Sequence, residues 1–421
     1  MDGVILKQLT VNKNYVEFKF EARGNLKDYF TTDTMFLEYQ EDMSDIPKSI
    51  LAIPFVASIL PLMWLTDTVL WVEEIDKTFY DSVYKIKAAY QNLYNHYPLK
   101  GNFIPAKIID NTYDVERQSL LLFSGGMDAH TTYIRHIETN PILTNIQGWY
   151  QTVDGVDKAA DADFKDVSEF AKIENRDVEF VKSNFAVIVN SKWFDKRITK
   201  KLGDTWWHGF QHSMSFISIA IPLAYKFKVK NVYIASSVPI GEYVHCASYV
   251  TTDSEFRFAS NGGCIHDGSE LTRQDKAKVI VDHANSLKRP YPIRVCSFNE
   301  INCCKCDKCF RSVLGITAEG GDVREFGFDI KDSLKNHFEK EFEENMIKHR
   351  VEGEGNLHWP AIQKKMKENY SGFNDEQKEF VDWFLSYDFQ GKRKKAILNY
   401  RFKNFFSIII KRIKNRFMLR I

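Results

Sequence analysis

Hydrophobic and polar positions alternate with two different periods along this chain, and the change of period divides it. Val4–Leu9 and Tyr15–Phe20 alternate as half-buried strands do. An uncharged stretch, Ser49–Thr66 (SILAIPFVASILPLMWLT), comes next, followed by a helical pattern over Lys77–Tyr97. The apolar stretch is barely long enough to span a bilayer. Pro54 and Pro61 would each break its backbone ladder in lipid and no second span follows, so it is expected as a buried core element. Together these segments predict a separate mixed α+β domain over residues 1–115, closed by the break at His96-Tyr97-Pro98 and Gly101 and the polar connector Asp110–Gln118.

From Ser119 the pattern becomes short apolar runs separated by amphipathic stretches. The runs Leu120–Phe123, Leu143–Tyr150, Val178–Val181 and Val232–Ala235 predict buried parallel strands; Asp128–Glu138, Ala162–Glu174 and Trp206–Phe227 predict the helices between them. This rhythm specifies an α/β domain over 116–320, a Rossmann-like parallel sheet covered on both faces. Asp329–Tyr387 reads as helical and polar, giving a helical extension over 321–390.

Residues 391–421 form a basic amphipathic tail. Leu398, Phe402, Phe405, Ile409 and Ile413 stand at helical spacing among basic residues. The tail holds eleven Lys or Arg and no acid; with a net charge of +1 for the whole chain, residues 1–390 carry 1 − 11 = −10. An anionic membrane, RNA and the chain's own acidic body are its expected partners, the last favoured by that charge.

With 421 residues, 44% hydrophobic and 27% charged, the chain falls outside the disordered, collagen-like and small disulfide-scaffold classes. A net charge near zero does not mark a nucleic-acid binder. The opening MDGVILKQLT carries an acid and no long apolar run, which does not read as a secretory signal, so a cytoplasmic protein is expected. Of seven cysteines, five lie between Cys296 and Cys309, too clustered for a secreted framework.

Two motifs carry chemistry. The first is Leu120-Leu121-Leu122-Phe123-Ser124-Gly125-Gly126-Met127-Asp128, two glycines between a strand and a helix. Glycines let the backbone turn with its N–H groups converging on an anion, and the helix adds open donors and the positive end of its dipole. Ser124, Gly125, Gly126 and Asp128 are therefore where a phosphate is expected to sit, with Asp128 either capping the donors or holding Mg2+. A plain strand-to-helix turn with a capping Asp is the structural alternative. Neither GxxxxGK nor GxGxxG is present. The phrase resembles the SGGxDS pyrophosphate loop of the PP-loop ATPase superfamily, with Ala129 replacing the final Ser and Thr131 or Thr132 as candidate substitutes for its hydroxyl. The resemblance implies that Ser124, Gly125, Gly126 and Asp128 bind ATP.

The second motif is CSFNEINCCKCDKC. Cys296, Cys303, Cys306 and Cys309 suit a structural four-cysteine Zn2+ knuckle, with Cys304 left as the spare and an iron–sulfur cluster as the alternative cargo. Cys246 and Cys264 stand apart and read as buried small apolar residues.

Taken together, SGGxD followed about 170 residues later by Cys, CxxCxxC and Phe-Arg resembles the 7-cyano-7-deazaguanine synthase family of the queuosine pathway, over about Gln118–Thr317. The resemblance implies an adenine nucleotide alpha hydrolase-like fold and an ATP-dependent, C–N bond-forming ligase. Such an enzyme activates a small-molecule carboxylate, deazaguanine-like, as an acyl-adenylate, releases pyrophosphate and presents the acyl group to ammonia or an amine. The alternatives are a ligase joining an acyl group to an amine on a protein, tRNA or sugar, and a nucleotide-binding module without catalysis. The substrate end departs from the family. Trp206-Trp207-His208-Gly209 and His212 open the long helix, and Ser236, Ser237, Glu242, Tyr243 and His245 follow the fourth strand as candidate pocket residues. Ser236, Arg273 and Lys276 are the candidate catalytic residues beside Asp128. His266-Asp267-Gly268 divides evenly between anion contact and a surface turn. His208 and His212 are expected to line the pocket or pack in the core rather than ligate a metal.

Overall fold

The computed structural model describes residues 2–149, 158–239, 246–296, 299–349 and 358–404. The chain divides into two compact units, Met1–Thr272 with Ser297–Glu300, and Arg273–Cys296 with Ile301–Ile421.

The first unit is built on one sheet. Its strands are β1 (Gly3–Asn12), β2 (Tyr15–Arg23), β3 (Thr34–Glu38), β4 (Val69–Asp76), β5 (Asn102–Ile109), β6 (Arg117–Leu122), β7 (Ile142–Gln147), β8 (Val178–Ser183), β9 (Val229–Ala235), β10 (Arg257–Phe258) and β11 (Gly262–Asp267). They lie in the order β10-β11-β9-β6-β7-β8-β3-β2-β1-β4-β5. The block β8, β7, β6, β9, β11 is parallel throughout. Numbered among themselves in chain order, these five strands run 3-2-1-4-5, the doubly wound arrangement whose direction of winding reverses between β6 and β9. The four expected parallel strands are all present. The fifth, β11, reads GGCIHD and shows no apolar run; its burial comes from lying between β9 and β10.

The boundary expected at residue 115 falls inside this sheet. β3 pairs antiparallel with β8 through Leu37↔Ser183 and Glu38↔Lys182. Side chains extend that short seam at both ends. Asn184 accepts from the Phe36 N–H at 3.0 Å and donates to the Thr34 carbonyl at 2.9 Å, while Gln40 Oε1 accepts from the Phe180 N–H at 2.8 Å. A second tie is Asp76, fully buried at the end of β4. Its carboxylate caps the following helix at the Phe79 N–H and accepts from Asn111 Nδ2 and from the Ala259 N–H of the β10–β11 turn, each at 2.9 Å.

Helix Ile53–Thr66 is the core of this unit. Residues 53–65 are buried on every face, as a helix apolar all round must be. It packs on helix His212–Lys226, where Ser58 and Ser215 satisfy each other's hydroxyls at 3.1 Å. Among the described residues, no helix is long and apolar enough to cross a membrane.

The second unit is helical: Arg273–Leu287, Asp307–Ala318, Leu334–Asn345, Trp359–Asn369, Asp375–Ser386 and Phe389–Lys403. The expected helical extension is present, but the boundary at 320 falls within this unit. The reason is packing: Phe310, on helix Asp307–Ala318, has its ring 4.7 Å from Phe338, 4.8 Å from Phe342 and 6.2 Å from Trp359. In the tail, Leu398 and Phe402 are exposed, whereas Phe405, Ile409 and Ile413 lie outside the described residues.

Candidate functional site

The glycine turn leaves β6 at the point where the winding reverses. Gly125 has φ +73°, left-handed backbone that a side chain disfavours. A Cβ there would fall inside the van der Waals shell of Asp166 Oδ2. Gly126 is the N-cap of helix Met127–Arg135 and offers no side chain to its first N–H groups. The turn is pinned to β7: the Phe123 N–H donates to the Thr144 carbonyl at 2.8 Å, and Asn145 Nδ2 donates to the Phe123 carbonyl at 3.0 Å.

A cavity of about 320 Å3 opens at the carboxyl ends of β6, β7 and β9. Ser124, Asp128, Thr144, Asn145, Trp149, Asp163, Trp207, His212, Ile234 and Ser237 are among the residues that line it. Its volume lies in the range of small-molecule sites. The Trp149 and Trp207 rings are nearly parallel, 7° apart with centroids at 6.1 Å, and give it a flat apolar wall. Thr144 Oγ1 and Asn145 Oδ1 are buried without a hydrogen-bond partner among the described residues, which leaves this wall able to accept from a ligand's N–H groups.

Helix Lys158–Glu174 contributes two acids that the sequence reading missed. Asp163 lines the cavity and Asp166 lies against Gly125. Burial, reinforced by Glu169, pushes the Asp166 carboxyl up to about 7. Because that value is raised, stability present in acid is lost as pH rises from about 4 through 7. Asp166→Asn is therefore expected to leave stability nearly unchanged at pH 4 and to raise it by about 2 kcal/mol at pH 8, read from urea melts at the two pH values.

Of the loop residues expected to bind the nucleotide, Ser124 and Asp128 line the cavity, whereas Gly125 lies against Asp166 and Gly126 is the helix N-cap. Ser237 also lines the cavity, whereas Ser236 is turned into its own loop, its Oγ donating to the Val238 carbonyl at 2.8 Å. Neither threonine replaces the missing loop serine: Thr131 Oγ1 donates back to the Met127 carbonyl at 2.9 Å, and Thr132 is buried with its hydroxyl on Asp267. His266 and Asp267 are held in structural pairs, His266 with Asp253 at 2.8 Å and Asp267 with His136 at 3.0 Å. Arg273 and Lys276 belong to the second unit, in the first turn of helix Arg273–Leu287, where Lys276 is buried. Glu242, Tyr243 and His245 lie outside the described residues.

In the second unit, the sulfurs of Cys296, Cys303, Cys306 and Cys309 all lie within 4.8 Å of one another. The Cys303–Cys309 and Cys306–Cys309 separations are 3.9 and 3.6 Å. Four thiolates bonded to one Zn2+ at about 2.3 Å would stand about 3.8 Å apart, so the cluster could hold a metal such as zinc. Cys304 is the spare: its backbone is left-handed at φ +55° and its thiol is turned to the Asn302 carbonyl. Asn302 braces the knuckle, donating to the Ile293 and Gly327 carbonyls at 2.8 and 3.1 Å and accepting from the Val295 N–H at 2.9 Å.

No protein-family model matches this chain, and no curated protein and no solved structure matches it.

Proposed function

We propose that the chain is an ATP-dependent enzyme of the PP-loop kind, similar to 7-cyano-7-deazaguanine synthase, that adenylates a small-molecule carboxylate for attack by ammonia or an amine. The observation that carries this reading is the Ser124-Gly125-Gly126 turn, set at the tip of the strand where the winding reverses and opening on a cavity. In open parallel sheets this is where ligands bind. The turn stands at the positive end of the dipole of helix Met127–Arg135, which suits the pyrophosphate, the site of greatest developing charge. The parallel Trp149 and Trp207 rings suit a flat heterocycle, and Thr144 Oγ1 and Asn145 Oδ1 suit its amino groups.

Asp128 and Asp163 add negative charge to the same cavity, so a polyphosphate there requires a cation. Mg2+ held by these carboxylates would neutralise phosphate charge when bound. The four cysteines hold Zn2+ in this reading, as architecture.

The test is pyrophosphate release across a panel of carboxylates that includes 7-carboxy-7-deazaguanine, with ATP, Mg2+ and ammonia. Asp128→Asn is expected to cut release by about a hundredfold with the thermal melt unchanged. Unaltered release in that variant removes the role of Asp128, and no release with any carboxylate removes the adenylation reading.

A further inference from the structure

Cys246, expected from the sequence to be a buried small apolar residue, is partly buried and stands between two imidazoles. Its Sγ is 3.7 Å from His212 Nε2, and it also hydrogen-bonds His208. Each histidine is oriented from behind. His208 Nδ1 is 3.0 Å from both oxygens of Asp204, and His212 Nδ1 is 3.0 Å from the Trp207 carbonyl. Asp204 is itself fixed by the Tyr94 hydroxyl, which donates to it at 2.9 Å, and by the Thr205 N–H at 2.7 Å.

The backbone is shaped for this row of groups. Trp207–Gln211 is a π-turn ahead of helix His212–Lys226; such turns are rare and recur at functional sites. It carries His208 and leads directly into His212, with the two rings 6.3 Å apart. Gly209 is required within it, because a Cβ there would press on the Tyr94 hydroxyl and on Asp204. Burial opposes charge on the thiol, but the bonds to His208 and His212 outweigh it and bring Cys246 down to about 6. His208 is pushed up to about 10, chiefly by Asp204. A thiolate beside an imidazolium backed by a carboxylate is an activated nucleophile. His212 also lines the cavity, which links the pair to the site above.

We propose that Cys246 accepts the acyl group from the adenylate as a thioester before an amine receives it, a step that rests on the adenylation reading. The thiolate attacks the carbonyl carbon, a C–S bond forms, the bond from that carbon to the phosphate oxygen breaks, and AMP leaves with the electron pair. The amine nitrogen then attacks the thioester, a C–N bond forms, and the C–S bond breaks to return the thiolate. The proton lost by the amine passes to the imidazole of His212 and on to water. No oxidant or reductant is consumed.

Two measurements on the full chain test this. Iodoacetamide at pH 6.5, with peptide mapping, reads nucleophilicity without any substrate. Replacing His212 or His208 by Asn is expected to slow alkylation of Cys246 about fivefold or more, the loss of thiolate outweighing the gain in intrinsic reactivity of a more basic sulfur. Unchanged alkylation in both variants overturns the proposal. Intact-mass analysis with 7-carboxy-7-deazaguanine, ATP and Mg2+, and no ammonia, is expected to show an ATP-dependent acyl adduct on Cys246. Hydroxylamine should remove the adduct, and Cys246→Ala should lack it. Pyrophosphate released without an adduct overturns the thioester and leaves adenylation standing. Failure to release pyrophosphate counts against adenylation itself, and the thioester falls with it.

Discussion

With zinc held by the four cysteines as proposed, Cys309→Ser is expected to abolish metal binding by the second unit and melt its aromatic core. Cys309 is fully buried and adjoins Phe310, the ring against which Phe338, Phe342, Trp359, Trp383, Phe384 and Phe389 gather. Both sit in the first turn of helix Asp307–Ala318, which begins within the knuckle. Without an ion, sulfurs 3.6–3.9 Å apart have no bond holding them, and the loop is left to the hydrogen bonds of Asn302, of Arg294 to the Cys296 carbonyl and of His337 to the Cys304 carbonyl. Structural zinc contributes on the order of 10 kcal/mol to the folding of small domains. A loss of several kcal/mol is therefore expected here, together with one equivalent of metal by elemental analysis. Near-ultraviolet dichroism from Trp359 and Trp383 should collapse in the variant, and in the parent chain on chelation. Retention of that signal in metal-free protein would show the knuckle to be dispensable for folding.

The second large effect falls on the glycine turn. Gly125→Val is expected to abolish ATP-dependent pyrophosphate release, by about a thousandfold, while the chain stays folded. At φ +73° a β-branched residue is disfavoured by about 1–2 kcal/mol, and its Cβ would also collide with Asp166. The Asp166 carboxylate can swing aside, but the backbone strain is relieved only by leaving the left-handed region, which reorients the peptide groups of the turn, and loss of preorganised donors costs about 3–4 kcal/mol in the barrier. Comparing turnover with the urea midpoint separates the two consequences. A variant with normal turnover would show that the turn does not grip phosphate.

The parallel strands and the four-cysteine cluster were legible in the sequence because each has a short-range signature. Apolar runs of β length mark strands buried on both faces, and CxxCxxC places three sulfurs within two turns of chain. What escaped depends on contacts distant in sequence. β11 has no hydrophobic run and is buried by its neighbours. Asp163 and Asp166 resemble the solvent-facing acids of an amphipathic helix, yet Asp163 precedes Val167 and Phe170 by four and seven residues, on the buried stripe. That misplaced acid was the available signal. Cys246 gave none, since His208 and His212 lie more than thirty residues earlier and meet it only through the π-turn.

The meeting of β3 with β8 bears on how this protein can be dissected. Among the described residues, two residue pairs and three side-chain hydrogen bonds close that join, yet it keeps two strand edges from facing water. Expressing residues 1–115 and 116–421 as separate pieces would bare both margins at once, and each would present unsatisfied amides to any passing chain. Fragments made at that cut should precipitate singly and dissolve when co-expressed. Any variant that alters this margin should be made in the undivided chain.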